Sequence, residues 1–422
     1  MRRPPLFYGP VRRLLGFALL VLWLSAPVFG QAAEDVDDLF TDPEAGILEE
    51  SEEGLDIDAL TAEKKPLLSG SATVGGGLVL GITDWQKPIT EPGAIALVPF
   101  YLMESVLKLD VRPTAFLRFF GSFSATSPYD DPATTDETAI AFSPLLVEEL
   151  FLDYTLAELL YFRLGKQAML WGQGRLFNPG DFMLQAIDGI SVKGFVPLGV
   201  NGLTVVAIGE GVLGPNPPAY ADVSELIAVA GLFETNLASL AFGVSAYYRI
   251  APGLKTGAYL KTPIAGADVA LEGVLNWRPD VAGVDSAVVL ASLFWEGGRS
   301  KWQLILEYLF DTWVPEYQGH SLGLGAAVRN WLPGGWKPGL RWVHSFADAS
   351  GQLLLGLDGP IAPYLRLSIG FPFRYGAPDG YYSRYLVSQL PGVEFLERFE
   401  DGQIPGNPAA AMMVALTLSI DF

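Results

Sequence analysis

The stretch "MMVALTLSIDF", residues 412–422, decides the fold of this chain. In steps of two it places apolar side chains on one face of a strand, namely Met412, Val414, Leu416, Leu418, Ile420 and Phe422. Its other face carries Ala415, Thr417, Ser419 and Asp421. An unpaired strand of this kind would be an adhesive edge in water. The segment therefore requires an apolar surrounding for one face and a partner strand for its edge.

The first residues indicate export. Four arginines (Arg2, Arg3, Arg12 and Arg13) precede the apolar run "LLGFALLVLWLSAPVFG", which ends in small residues. This pattern predicts a cleaved secretory signal peptide over residues 1–30, with a retained membrane anchor as the alternative. The chain has no cysteine, so a lipid-modified cysteine after the signal is excluded and no disulfide framework is available.

Composition narrows the class of protein. Half of the residues are hydrophobic, 12% are aromatic and the mean hydropathy is +0.30. Beyond residue 33, however, no apolar run reaches the roughly eighteen residues that a spanning helix needs. Export and high apolar content without such helices favour a membrane β-barrel. The net charge of −20, with no basic stripe, excludes nucleic acid as a partner.

Residues 31–66 form an acidic leader. Between residues 34 and 66 there are thirteen Asp or Glu and two Lys. A segment with so much charge cannot bury enough apolar surface to fold alone, so we predict that it is disordered and periplasmic. It is interpreted as a solvated leader, as a docking motif for a periplasmic partner, or as a flexible plug.

From residue 67 to residue 422 the hydrophobic pattern has a period of two. In "LASLAFGVSAYYRI", residues 237–250, one face carries Leu240, Phe242, Val244, Ala246, Tyr248 and Ile250. Such segments run for about ten residues, the length of a tilted strand that crosses a bilayer. We count roughly eighteen, from 69–82 to 410–422; the strand at 351–358 is weak, so sixteen is the alternative.

The lengths of the connections also indicate a β-barrel over residues 67–422. Short turns are predicted at 112–114, 157–158, 235–238, 297–300 and 332–335. Longer connections fall between them, at 83–94, 126–143, 172–187, 213–223 and 374–409. This alternation is typical of outer-membrane barrels with both termini in the periplasm, although "APG" at 251–253 is shorter than the rule expects. The prediction is an all-β fold, a transmembrane antiparallel β-barrel of about 16–18 strands, closed because an open sheet edge is too costly in lipid.

The final strand resembles that of bacterial outer-membrane β-barrel proteins of the Gram-negative type, which typically end in Phe after alternating apolar residues. The resemblance implies a location in the cell outer membrane, with outer-membrane lipids around the barrel. It also implies that barrel-insertion machinery and periplasmic chaperones act as partners. The residues that would form the assembly signal are Val414, Leu416, Leu418, Ile420 and Phe422.

The densest polar and aromatic stretch is "FRLGKQAMLWGQGRLFNPGDFML", residues 162–184. It is similar to a pattern of several porin-like outer-membrane barrels, a Gly-Lys-Gln strand followed by Trp-Gly and Asn-Pro-x-Asp. Asn178 begins a turn, and Arg175 and Asp181 are predicted to pair or to coordinate a ligand. We interpret the stretch as a loop folded into the lumen as a constriction, or as a structural turn that locks the loop to the barrel wall.

Polar faces of the strands supply further candidates. The predicted pore-lining or constriction residues are Glu149, Asp153, Arg163, Gln167, Arg175, Asn178, Asp181, Arg249, Glu272, Arg278, Glu307 and Arg366. Asn276 and Arg341 fall on similar faces. Opposed charges on these walls would select solutes by charge, or the ion pairs would merely satisfy one another. In the 374–409 loop, Tyr381 and Tyr382 are suited to contact with sugars or small anions. The alternative is that this connection is an ordinary exposed loop.

A barrel of this size leaves a water-filled channel unless something plugs it. The sequence therefore predicts a porin-like channel for passive or weakly selective diffusion of small hydrophilic solutes. One alternative is a transporter for hydrophobic molecules that resembles the long-chain fatty-acid channels, and another is a surface protein such as an adhesin. No enzyme, cofactor or metal site is expected, because His320 and His344 are the only histidines and no signature surrounds them.

Overall fold

The computed structural model describes residues 67–82, 95–127, 143, 145–157, 159–181, 189–209, 227–249, 253–278, 283–297, 302–312, 319–328, 335–377, 380–382 and 410–421. All of them belong to the second of two units of the chain, Pro66–Phe422. The predicted signal peptide, the acidic leader and Phe422 lie outside the described residues. Among those residues, no helix is long and apolar enough to cross a bilayer.

The described residues form eighteen strands. The first nine are β1 (Leu68–Ile82), β2 (Ile95–Thr114), β3 (Leu117–Ser127), β4 (Leu146–Leu156), β5 (Leu160–Lys166), β6 (Ile190–Leu198), β7 (Asn201–Gly209), β8 (Ile227–Leu237) and β9 (Leu240–Arg249). The others are β10 (Gly253–Ile264), β11 (Ala267–Trp277), β12 (Val284–Glu296), β13 (Trp302–Asp311), β14 (Gly319–Val328), β15 (Lys337–Ser345), β16 (Gly351–Ala362), β17 (Leu365–Tyr375) and β18 (Ala410–Asp421).

The sheet closes on itself. Each strand pairs antiparallel with its neighbours in sequence, and β18 pairs with β1 over twelve residue pairs, from Ser71 with Asp421 to Ile82 with Ala410. The prediction of a closed antiparallel barrel is confirmed, with eighteen strands rather than sixteen. The weak 351–358 segment is the start of β16. Closure pairs the backbone of the last strand and leaves no sheet edge, as the opening stretch requires.

Connections alternate between the two ends of the barrel. We call the end with the tight turns the turn end; β1 begins there and β18 ends there. Its connections are as short as the two residues 115–116 and 199–200, and β2 continues through the predicted turn at 112–114. At the opposite end, the loop end, the strands are separated by 83–94, 128–145, 167–189, 210–226 and 376–409. The connection between β9 and β10 also lies there and has only three residues, 250–252.

Side chains alternate between an apolar outer face and a mixed inner face. On β9, Tyr248 is 52% exposed on the outside whereas its neighbour Tyr247 is fully buried inside. On β18, Leu416 is exposed and Ala415 is buried, which is the alternation predicted for Val414, Leu416, Leu418 and Ile420. An exposed apolar outer face of this kind would cause aggregation in water. It suits contact with acyl chains.

Candidate functional site

The segment between β5 and β6 enters the barrel. We call residues 167–181 the inward segment. It starts after Gly165, whose φ of 135° is open to glycine but strained for other residues, and whose Cβ would lie 2.1 Å from the carbonyl oxygen of Leu150. The base is then fixed by two hydrogen bonds, from Gln167 Nε2 to Ser191 Oγ at 2.7 Å and from Ala168 N to Glu149 Oε1 at 3.1 Å. Glu149 and Gln167 therefore hold the base of the inward segment.

One side of the inward segment packs on an apolar wall inside the barrel. Trp171 is almost fully buried in a cluster that strands β7, β8, β9, β11 and β12 supply, comprising Val206, Ile208, Ala228, Ala230, Leu232, Tyr247, Val274 and Val288. Met169 packs against the same cluster. Removing apolar surface of this kind from water contributes about 25 cal/mol per Å². This contact therefore holds the segment against the wall like a small hydrophobic core.

The tip of the inward segment is bound by a buried carboxylate on the far wall. Glu307, on β13, is 0% exposed and accepts hydrogen bonds from three successive backbone N–H groups: Arg175 at 2.7 Å, Leu176 at 2.9 Å and Phe177 at 2.7 Å. Ser292 Oγ donates to the same carboxylate at 2.9 Å. Successive N–H groups of this kind form a concave anion site, and here the anion belongs to the barrel itself. The four donors replace the water that a buried carboxylate loses.

Strands β5 and β13 lie eight positions apart in a ring of eighteen. They are therefore nearly opposite, and the inward segment crosses the interior between them. Its tip also lies close to β14, where a Cβ on Gly323 would come within 2.9 Å of the side chains of Leu176 and Phe177. On β15, Arg341 Nη2 donates to the carbonyl oxygen of Leu176 at 3.4 Å.

Glycines make the crossing possible. Gln173 N donates to Glu272 Oε2 on β11 at 3.1 Å, and a Cβ on Gly180 would lie 1.8 Å from Oε1 of the same carboxylate. Gly172 has a φ of 98°, and its Cβ would meet Asn178 Oδ1 at 2.0 Å. Glu272 and Asn178 therefore face positions that only glycine fills. Both were chosen from sequence as pore-lining: Glu272 contacts the segment from β11, and Asn178 lies within it.

Arg175 and Asp181 contact different partners. The guanidinium of Arg175 lies over the ring of Phe294, 3.8 Å from its centroid. The carboxylate of Asp181 accepts a hydrogen bond from Trp171 N at 3.4 Å. The structure therefore assigns a cation–π contact to the arginine and a turn-stabilising role to the aspartate, in place of the pairing that the sequence suggested.

An ion-pair network lines the inner wall near the turn end of β2–β5. Arg163 Nε lies 2.6 Å from Asp153 Oδ1, and its guanidinium is 4.0 Å from the centroid of the Phe151 ring. Arg118 joins Asp153, at 3.6 Å, to Asp110, at 2.9 Å. The predicted neighbourhood of Asp153 and Arg163 across the tight turn is confirmed in its geometry. Their charges largely neutralise each other at this wall.

The remaining candidates have other positions and partners in the barrel. Arg366 pairs with Asp358 near the turn end, and Arg249 is the last residue of β9 at the loop end. Arg278 follows the last residue of β11, is half exposed, and pairs with Asp285 at 3.0 Å. Asn276 Nδ2 donates to Ser286 Oγ at 2.8 Å. The sequence-derived set is therefore spread over the barrel, and only part of it converges on the inward segment.

Sequence reasoning named Tyr381 and Tyr382 at the loop end but missed that they dock inside the barrel. We call residues 380–382 the rim segment. Tyr381 N donates to Asp348 Oδ2 at 2.5 Å and Tyr382 N donates to Ser350 Oγ at 3.0 Å. The ring of Tyr382 is buried, 6.5 Å from the ring of Phe177 in the inward segment. The two segments thus meet inside the barrel, a contact between positions far apart in sequence that no local pattern announces.

Two pKa shifts accompany the rim segment. Burial alone would raise the pKa of Asp348, but the hydrogen bonds that its carboxylate accepts from Tyr381 N and from Ser350 outweigh burial and hold that pKa below its ordinary value. Burial raises the pKa of the Tyr382 phenol. Asp348 is thus ionised, and Tyr382 neutral, over the whole physiological pH range.

Both histidines face outward, away from the inward segment. His320 on β14 contacts Tyr308, and His344 on β15 contacts Tyr375, all on the outer face at the loop end. Within the described ranges, no group of three or more His, Cys, Asp or Glu residues is arranged to hold a metal ion.

Comparisons with known proteins give a likeness in shape. No family model and no curated protein matches the chain. Among solved structures, a mutant of Rhodopseudomonas blastica porin matches with a TM-score of 0.41 and 8% identity over 84% of this chain and 100% of the porin. The outer membrane protein opdK from Pseudomonas aeruginosa matches with a TM-score of 0.48 and 10% identity over 84% and 99%. Values this low say nothing about what this chain transports or binds.

Proposed function

We propose that this protein is an outer-membrane channel through which small hydrophilic solutes diffuse, and that the inward segment forms its constriction. The observation that carries the proposal is the crossing of the barrel interior by residues 167–181, with their tip bound by Glu307. A segment so placed reduces the cross-section of the lumen without closing the ring of strands around it.

The fold supports passage through a bilayer. The sheet is closed, its outer face is apolar, and eighteen strands make a barrel of the size that encloses an aqueous channel. Export by a signal peptide, insertion by machinery that reads β18, and surrounding outer-membrane lipids belong to the same proposal. Recovery of the mature chain in the inner-membrane or soluble fraction of the cell would contradict this part.

Charged groups of the inner wall have partners within the protein, which favours weak selectivity. Arg163 and Asp153 pair with each other, and the carboxylate of Glu307 is fully occupied by donors from the protein. Paired charges create little net field along a pore. Solute size is therefore expected to matter more than solute charge.

The rival functions lack a comparable observation. A transporter for hydrophobic molecules needs an apolar path, whereas the apolar cluster around Trp171 is packed by the inward segment itself. An adhesin would display the connection between β17 and β18 on the outside of the barrel. The rim segment, which belongs to this connection, docks inside the barrel instead.

The test is recording in planar lipid bilayers with the purified protein, together with swelling of liposomes in sugars of increasing size. The proposal predicts stable ohmic steps of conductance and swelling rates that fall with sugar mass. A barrel that inserts, as shown by heat-modifiable migration on gels, but neither conducts ions nor admits sugars would overturn it.

A further inference from the structure

A row of hydrogen-bonded aromatic side chains lies on the outer face at the loop end. We call it the outer aromatic band; it consists of Tyr308, His320, Trp342, His344 and Tyr375. His320 is the second residue of β14, His344 is the last but one of β15, and Tyr375 ends β17. In the register, His344 lies opposite Leu322, two residues from His320. The two histidines are thus near neighbours on one surface.

Glycine makes room for the band on β16. Gly351 lies between His344 and Tyr375 in the sheet. A Cβ on Gly351 would come within 2.1 Å of the Tyr375 hydroxyl oxygen. Because that space is free, the tyrosine ring crosses over β16, reaches His344 two strands away, and lies nearly parallel to its ring, with centroids 5.8 Å apart.

The hydrogen bonds of Tyr375 suit one tautomer of His344. Trp342 Nε1, which can only donate, lies 2.9 Å from the Tyr375 hydroxyl. That hydroxyl has one proton, and its other partner is His344 Nδ1 at 3.0 Å. When the tyrosine donates this proton to Nδ1, neutral His344 carries its own proton on Nε2, which makes Nε2 a donor.

His320 is held in a parallel way. Its Nδ1 bonds to the hydroxyl of Tyr308, and its ring lies 4.8 Å from the ring of Phe310. Within the described part of the chain, both imidazoles make their hydrogen bonds through Nδ1 alone. The described part of the barrel therefore supplies no partner for either Nε2. A polar nitrogen at the edge of a hydrocarbon layer is costly without such a partner.

We propose that the outer aromatic band is a binding site for a phosphate-bearing lipid in the leaflet that surrounds the loop end. The two Nε2 groups hydrogen-bond the phosphate oxygens, and the rings of Tyr308, Trp342 and Tyr375 lie at headgroup level, where such amphipathic side chains are favoured.

Continuity with the apolar surface selects a lipid as the occupant. Directly towards the turn end, the outer face of β13 carries Leu306 and Leu304, both exposed. A molecule with its phosphate on the band would lay its acyl chains along these side chains. Inorganic phosphate would leave them uncovered, and a water-soluble peptide would have to displace acyl chains from them.

The experiment measures lipid binding to purified, delipidated protein by native mass spectrometry. The probes are phosphatidylglycerol and a diacylglycerol glycoside without phosphate, each with the same acyl chains. The unmodified protein is expected to bind phosphatidylglycerol about tenfold more tightly, because two hydrogen bonds to a charged phosphate are stronger than two to the neutral hydroxyls of the glycoside. Equal binding of the two lipids would overturn the proposal without any variant.

The double variant His320→Phe/His344→Phe keeps both rings and removes both donors. We expect it to lose the preference for phosphate, whereas Trp302→Phe, at the turn end of β13, keeps it. An unchanged preference in the double variant overturns the proposal, as does displacement of the lipid by equimolar inorganic phosphate. Because channel conductance is measured separately, failure here leaves the proposed channel function standing.

Discussion

The inward segment and the rim segment enter the same barrel and are held by the same device, a carboxylate that accepts backbone N–H groups. They differ in where that carboxylate lies. Glu307 is fully buried in the wall of β13, while Asp348 lies in the connection between β15 and β16 at the rim. Water competes for the rim hydrogen bonds and does not reach the buried ones.

This difference teaches that depth determines how firmly a loop is fixed inside a barrel. A buried carboxylate that loses its donors keeps the whole desolvation penalty, whereas a carboxylate at the rim is rehydrated. Apolar packing reinforces the contrast, because the inward segment buries Trp171 in a cluster. We therefore expect the inward segment to be rigid and the rim segment, which contacts it through Tyr382 and Phe177, to be more mobile.

The largest expected effect is that of Glu307→Gln. The amide keeps one acceptor oxygen but turns its NH2 group towards at least one of the three backbone N–H groups, so the tip should lose about 3 kcal/mol of anchoring. Trypsin is the probe, because Arg175 lies at the tip, and cleavage there should become roughly a hundredfold faster. The matched control is Asp268→Asn on β11, which removes an exposed ion-pair partner of Lys261 on β10. Equal resistance of the two variants at Arg175 would mean that Glu307 does not hold the tip.

Gly180→Ala should have the next largest effect. The new methyl group would lie 1.8 Å from Glu272 Oε1, so that carboxylate must move and give up its hydrogen bond to Gln173 N. Overpacking of this kind costs about 1–3 kcal/mol. We expect a lower temperature of heat-modified migration and noisier conductance. Gly273→Ala, where a Cβ meets nothing within 4 Å, should leave both unchanged; if the two variants behave alike, the segment is not fitted to β11 as described.

How far the sequence leads can be judged from particular residues. A period of two places Leu416 outside and Ser419 inside without knowledge of any partner, which is why the antiparallel barrel is predictable. The number of strands stays between sixteen and eighteen, and the entry of residues 167–181 is one of two interpretations. Glu307 was recognised as inward-facing, but its ligands lie about 130 residues earlier in the chain, and no local pattern encodes such a contact. The docking of Tyr382 is equally non-local. Arg175 next to Asp181 looks like a pair, yet the backbone turns the two side chains to different partners.

Asp348→Asn should loosen the rim segment by about 1 kcal/mol, since the amide keeps one acceptor oxygen. Protonation of Asp348 at low pH should loosen the rim segment in the same way. Because the pKa of Asp348 is lowered in the folded protein, its contribution is complete above the ordinary aspartate pKa of about 3.9 and is lost as the pH falls through the lowered value. Hydrogen exchange at the amides of Tyr381 and Tyr382 reports the change. Protection that fades between pH 7 and pH 5 would contradict this assignment.

Arg278→Gln should have the smallest effect. The ion pair of Arg278 with Asp285 is half exposed on the arginine side and lies away from both segments, and such pairs contribute about 0–1 kcal/mol. We expect unchanged conductance, ion selectivity and thermal stability. A clear shift in the reversal potential of this variant would show that charges at the loop end, rather than the constriction, govern selectivity.

The most direct test of the constriction uses the absence of cysteine from the chain. In the single variant Arg175→Cys the only thiol lies at the tip of the inward segment, and Arg278→Cys places it at the loop end, just after the last residue of β11. During single-channel recording with a charged methanethiosulfonate reagent, we predict a discrete, irreversible drop in conductance for Arg175→Cys and none for Arg278→Cys. Complete labelling of Arg175→Cys, verified by mass, with conductance unchanged would contradict the claim that residues 167–181 narrow the path.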